Sequence, residues 1–199
     1  MNATRHLDLG CGGIPRNPYQ RDELYGVDIV ASDPSSKILI RQANLTLSSI
    51  PFPDQYFDSV SAFDFFEHVP RVFPGSTENT TRFPFIELMN EVHRVLKPGG
   101  LLYALTPCYP AFEAFQDPTH VNIMTEKTHH YFTGPQPLGR MYGFTGHFEV
   151  RKVEWVVHKD AMSPSTPLNL SQKFRRWNYK LKGKFSHIAW EFSASAPQD

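Results

Sequence analysis

The stretch LDLGCGGIPRNPYQRDELYGVDI, from Leu7 to Ile29, decides the fold. It reads as a short apolar strand, a glycine turn and a second strand closing on an acid, Asp28. Parallel neighbours need a crossover of about a dozen residues or more, usually a helix. Here Pro15 and Pro18 interrupt the connection, and proline inside a helix removes a hydrogen bond and clashes with the turn before it. The spacing therefore predicts at most one or two helical turns between these strands. What the glycine turn holds, and what replaces the missing helix, are the questions the rest of the chain must answer.

Outward from this stretch, apolar runs of strand length recur. Leu7–Leu9, Leu24–Val30, Lys37–Ala43, Phe57–Phe63 and Leu101–Thr106 are near-continuous, as suits parallel strands buried on both faces. Between the last two, PFIELMNEVHRVLKPGG places Phe85, Leu88, Met89, Val92, Val95 and Leu96 on one helical face, with Pro98-Gly99-Gly100 as the stop. A second short helix is expected near Thr125. His147–His158 and Ser186–Ser195 read as two final strands that pair antiparallel at an edge. This alternation argues for an α/β, doubly wound, mainly parallel sheet of about seven strands in a single domain over residues 1–199. The links after the second and third strands are also short or proline-bound, at ASDPSS (31–36) and around Pro51 and Pro53. One sheet face is thus expected to be nearly bare.

Composition excludes several classes. Twenty acids balance 20 bases, and no apolar run is long enough to span a bilayer, which takes about 18 residues. The N-terminus MNATRHLDLG lacks an apolar signal core, which points to a cytoplasmic protein. Cys11 and Cys108 are far apart and form no CxxC pair, so neither a disulfide framework nor a zinc site is indicated. The even balance hides one asymmetry: residues 159–184 hold seven Lys/Arg against one acid, Asp160.

Asp8-x-Gly10-x-Gly12 ends the first strand. Glycines let such a turn pass close under a ligand. A pyrophosphate needs a helix N-terminus, which is missing here, and Asp8 would repel it. An acid at this place suits a cationic amino-acid end, and Asp28 is placed to accept from two ribose hydroxyls. A cationic nucleoside fits better than a dinucleotide.

These residues, with YGVDI, NLTLSSIPFPDQYFDSVSAFDFFEHV and EVHRVLKPGGLLYALTP, resemble class I S-adenosylmethionine-dependent methyltransferases of the type-11-like group over residues 5–107. The shortened connections are similar to a saccharide-modifying subgroup. The resemblance implies a Rossmann-like fold with shortened helices in its first half and S-adenosylmethionine as cofactor. It places Asp8, Gly10, Cys11 and Gly12 at the methionine part, Asp28 and Ile29 at the ribose, Asn44 and Leu45 at the adenine, and Phe63 and Asp64 beside the sulfonium. It also implies a small-molecule acceptor, a sugar or lipid-linked intermediate being favoured, methylated at oxygen or nitrogen.

Methyl transfer to such an acceptor is helped by alignment and by a base when a proton must leave. His68, just after the fourth strand, is the first candidate; His120 in DPTH is the second, with Asp117 expected to orient it. Asp64-x-x-Glu67-His68 also resembles a metal-binding segment of quinone O-methyltransferases, but the Glu-His pair is common in type-11-like enzymes without metal, and no metal is assigned. Residues 70–84 and 107–135 are expected to close over the acceptor.

The basic segment, about 159–186, reads as a helical insertion between the last two strands. Leu170, Phe174, Trp177 and Leu181 make one apolar helical face. That face is expected to cover the bare side of the sheet, with membrane-surface contact, an anionic acceptor or a homodimer as the alternatives. Rival functions are an RNA methyltransferase using this segment, against which the neutral total charge speaks, and a non-catalytic cofactor-binding protein.

Overall fold

The computed structural model describes residues 3–30, 38–164 and 167–196. Among the described residues nine strands occur in chain order: β1 (Arg5–Leu9), β2 (Glu23–Asp28), β3 (Leu39–Gln42), β4 (Phe57–Phe63), β5 (Phe73–Pro74), β6 (Thr81–Arg82), β7 (Leu96–Pro107), β8 (Phe148–Val156) and β9 (His187–Ala194). Seven of them build one sheet in the order β3-β2-β1-β4-β7-β9-β8. The first five run parallel, and β9 is antiparallel to both β7 and β8. The α/β, Rossmann-like architecture is as the sequence predicts. The β5–β6 hairpin inside residues 70–84 was not foreseen, because two-residue strands leave no periodic trace.

Helix α1 (Pro84–Val95) packs Phe85, Leu88, Met89, Val92 and Val95 against one face of the sheet. Each such side chain contributes roughly 1.5–3 kcal/mol when fully buried. Pro84 suits the first turn, where its missing N–H costs nothing. The helix ends before the Pro98-Gly99-Gly100 stop and passes directly into β7 at Leu96. Its terminal carbonyls are satisfied from outside, Arg94 by the Gln55 amide at 2.8 Å and Val95 by the Tyr56 amide at 2.9 Å. The expected helix near Thr125 is only a four-residue 3-10 turn, Thr128–Tyr131.

Among the described residues, the opposite face is covered by loops and not by an α-helix. Phe63, Tyr103, Leu105, Val156, Ala161 and Ala189 form its core, with Tyr19 laid against them. Tyr19 comes from the β1–β2 connection and donates its hydroxyl to Glu191 at 3.1 Å. The stretch after β8 closes the other half: Tyr103 donates to the Ala161 carbonyl at 2.8 Å, and Ser163 to that of Pro18 at 2.9 Å. The expectation that the basic helix covers this face is overturned. Helix α2 (Leu170–Leu181) has no buried residue, and its apolar stripe is exposed.

Two short approaches explain how the sheet tolerates this trim. A Cβ on Gly26 would lie 2.6 Å from Cys11 Sγ and 2.8 Å from Pro15 Cγ, so only glycine lets the turn fold back on β2. Beneath the turn, His6 sits fully buried between the hydroxyls of Ser59 and Ser61, each at 2.8 Å. Ser61 spends its proton on Asp8 at 2.5 Å, so His6 Nε2–H donates to Ser61 and Nδ1 accepts from Ser59.

Burial pushes the His6 imidazole down from 6.5 to about 3. Between those values the unfolded chain binds a proton here that the folded chain does not, so stability falls as pH drops from 6.5 toward 3. Asp8 acts in the opposite sense, since burial pushes it up from 3.8 to about 6. His6→Gln, which leaves Asp8 in place, is expected to remove the His6 contribution, so that its Tm relative to wild type rises as pH falls from 6.5 to 4; thermal melts of both proteins across that range check it.

Candidate active site

The strand ends β1, β2, β3 and β4 open together on one edge, the usual place for ligands in open α/β sheets. A cavity of about 300 Å³ lies there, walled by Gly10, Asp28, Ile29, Asn44, Leu45, Asp64, Phe65 and His68 among others. Six of the ten residues assigned to the cofactor from sequence thus meet at one cavity.

The turn is built by left-handed glycines, Gly10 at φ 61° and Gly12 at φ 58°. The Gly10 amide donates to the Val27 carbonyl at 2.9 Å, which draws the turn across β2. Its missing Cβ matters, since one there would stand 2.4 Å from the Phe65 ring. Asp28 accepts from the Gly12 amide at 2.7 Å and the Val30 amide at 2.9 Å. Its carboxylate is thereby fixed in the cavity wall with lone pairs to spare.

The other four assigned residues take different places. Asp8 is fully buried beneath the turn, with Oδ1 held by Ser61 and Oδ2 accepting the Arg16 amide at 2.8 Å. Cys11 is buried against Gly26, and burial pushes its thiol up to about 12, so it stays protonated. Gly12 is exposed beside the cavity, with nothing within 4 Å of its would-be Cβ. Phe63 belongs to the core on the loop-covered face, because alternation along β4 turns it away from the cavity that Asp64 lines.

Asp64 has a left-handed backbone, φ 50°, a conformation acids tolerate better than most side chains. Two histidines pin it: His158 Nε2 donates to Oδ2 at 2.8 Å, and His187 Nε2 lies 3.2 Å from Oδ1, at ion-pair range but without hydrogen-bond alignment. Burial pushes the Asp64 carboxyl up, but the histidines outweigh it and hold it well below the usual carboxylate range. The hydrogen bond to Asp64 raises His158 in turn. Sequence reasoning missed both histidines, which come from the ends of the β8–β9 connection.

Beside this, His68 and His120 stand edge to face with ring centres 4.9 Å apart. The expected Asp117–His120 orientation is not what forms, since the two are 3.9 Å apart. Asp117 instead accepts from Thr119 Oγ1 at 2.6 Å, and that oxygen lies 3.0 Å from His68 Nδ1. A hydroxyl has one proton; given to Asp117, it leaves Thr119 Oγ1 to accept from His68 Nδ1–H. The basic lone pair of His68 is then on Nε2. Glu67 is buried below, its Oε2 accepting from Thr106 at 3.0 Å and its Oε1 unpaired, and burial pushes it up to about 7. Its backbone carbonyl receives the amides of Val121 and Asn122, both at 2.9 Å, which fastens the DPTH loop beside His68. Two trios offer ligand atoms within 4.8 Å of one another, Asp64/His158/His187 and Glu67/His68/His120; either set of donors suits a divalent cation.

A glycine turn under a cavity, an acid closing β2 and this strand order define a class I S-adenosylmethionine-dependent methyltransferase. A family model described as a methyltransferase domain matches residues 7–104, in line with that class. No curated protein matches the sequence. Among solved structures, a methyltransferase from Archaeoglobus fulgidus is 17% identical with a TM-score of 0.53, covering 96% of this chain and 86% of its own. One from Methanosarcina mazei is 16% identical with a TM-score of 0.53, covering 98% and 95%. The [4+2]-cyclase SpnF shares the fold at 18% identity and a TM-score of 0.55, covering 98% and 76%. S-adenosylmethionine is the cofactor of this chain, and the site suits it: side-chain-free space over Gly12 beside the cavity and a fixed carboxylate at Asp28 in its wall.

Gly10→Ala forces a strained φ and a clash with Phe65. It is expected to weaken S-adenosylmethionine binding at least about tenfold, ~1.4 kcal/mol, by calorimetry. An unchanged affinity would place the cofactor elsewhere.

Proposed function

We propose that the chain methylates an oxygen or nitrogen of a small-molecule acceptor, a sugar or lipid-linked intermediate, with His68 as general base. The observation that carries this is the Asp117–Thr119–His68 relay at the wall of the cofactor cavity. When bound, S-adenosylmethionine supplies a methyl group already activated for displacement. Asp28 would hold the ribose, Asn44 and Leu45 the adenine, and Gly10 and Gly12 leave room for the methionine end. His68 Nε2 takes the acceptor proton; Thr119 and Asp117 keep the ring in the tautomer that can do so. His120 packs against His68 and steadies it.

A second cavity of about 550 Å³ supports the acceptor reading. It adjoins the first along one loop, since Val69 lines one and Arg71 and Val72 line the other. Phe83, Phe85, Phe132 and Tyr131 make its walls apolar, while Arg71 and Lys127 add two cations. Apolar walls with two cations suit an acceptor that combines a hydrocarbon part with an anionic one. Its walls come from residues 71–86 and 125–142, overlapping the loops singled out in the sequence, 70–84 and 107–135.

His68→Ala is expected to lower kcat about 100-fold with S-adenosylmethionine affinity unchanged. Thr119→Val, which breaks only the relay, should lower it about tenfold, again with S-adenosylmethionine affinity unchanged. An acceptor screen read by product mass supplies the assay. Unchanged turnover in both variants removes the base assignment. Turnover lost to a chelator and restored by a divalent cation would instead make Glu67, His68 and His120 ligands.

A further inference from the structure

Helix α2 is turned inside out relative to a helix that packs on a core. At about 100° per residue, Leu170, Phe174, Trp177 and Leu181 fall within a sector of about 60°. They are 85%, 66%, 57% and 66% exposed. The opposite side holds the helix to the body. Arg175 pairs with Asp160 through bonds of 2.8 and 2.5 Å, Arg176 pairs with Glu154, and Gln172 reaches Asp160 at 3.4 Å. The helix start is fixed as well, by a reciprocal cap in which Asn169 accepts from the Gln172 amide and Gln172 from the Asn169 amide. The outward direction of the stripe is therefore imposed by ion pairs beneath it.

We infer that α2 is a membrane-docking surface that lies in the headgroup region of an anionic lipid bilayer. The charges select this occupant. Lys173 and Lys180 run along one flank of the stripe, and Lys182 and Lys184 follow the helix end. The acids nearest the helix, Asp160 and Glu154, are beneath it and engaged by arginines. A Trp/Phe/Leu stripe flanked by lysines is the pattern of an interfacial helix, with the apolar side among acyl chains and the ammonium groups among phosphates. A second copy seated on the stripe would bring lysine flanks of like charge together. A nucleic acid would meet four large apolar side chains where its phosphates need cations. The exposed surface continues past the helix end: a groove of about 620 Å³ separates Tyr179 and Lys184 from the loop carrying Phe112, itself 72% exposed.

The test uses the full chain with vesicles of phosphatidylcholine alone or with phosphatidylglycerol, without cofactor or acceptor, so failure would leave the methyl-transfer reading standing. Flotation is expected to recover the protein with anionic vesicles, at least tenfold more than with neutral ones, and less at high salt. Trp177 emission should shift to the blue on binding; Trp190 is buried and Trp155 half-buried against the core, and W177F should abolish the shift. F174S/W177S, at exposed positions, should keep the melting temperature and lose at least tenfold in partitioning. K173E/K180E should lose the preference for anionic lipid. The inference is overturned if wild type and F174S/W177S partition equally, or if no vesicle binds at low salt. It is also overturned if the stripe proves to hold a homodimer dissociated by F174S/W177S, or if the lysines bind RNA while vesicles are ignored.

Discussion

One buried carboxylate organises the first half of the molecule. Asp8 receives the Ser61 hydroxyl from β4 on one oxygen and the Arg16 amide from the β1–β2 connection on the other. With no helix in that connection, this amide contact fixes the path of the loop, and the loop carries Tyr19 across the sheet face that a helix would otherwise cover. The same network continues through Ser61 to His6 and Ser59. A buried polar chain of this kind is stable only when each member is satisfied, and here each donor meets an acceptor. The acid that the family pattern places at the ligand therefore works beneath the turn, while Asp28 stands in the cavity wall.

Much of this was legible because it is local. The strands, the glycine turn and Asp28 follow from adjacent residues, and the apolar face of α1 follows from its period. What escaped depends on partners distant in the chain. His158 reaches Asp64 across 94 positions, and no spacing rule announces it. Asp117 looked like the partner of His120 because the two share a tetrapeptide, yet a hydroxyl between them diverts it to His68. For α2 the period revealed an apolar stripe but not its direction. Direction was set by Arg175 and Arg176 finding Asp160 and Glu154, and pairing of that kind is invisible to periodicity.

The candidate site divides its labour between the two halves of the sheet. The trimmed half, β1 to β3, supplies the glycine bend and the Asp28 carboxylate to the cavity. The other half supplies the imidazoles of His68 and His120 and the loops that wall the second cavity. SpnF, a cyclase on the same scaffold, shows that the architecture alone does not dictate the reaction. In this chain the contacts from Asp117 through Thr119 to His68 fix the orientation of that imidazole at the edge.

His158 and His187 have a further implication through where they sit. One lies just after β8 and the other opens β9, so the whole excursion carrying α2 leaves and returns at a single side chain, Asp64. Both ends of the excursion therefore bear on one acid of the cavity wall, so the placement of the segment carrying α2 and the setting of the Asp64 carboxylate are structurally linked.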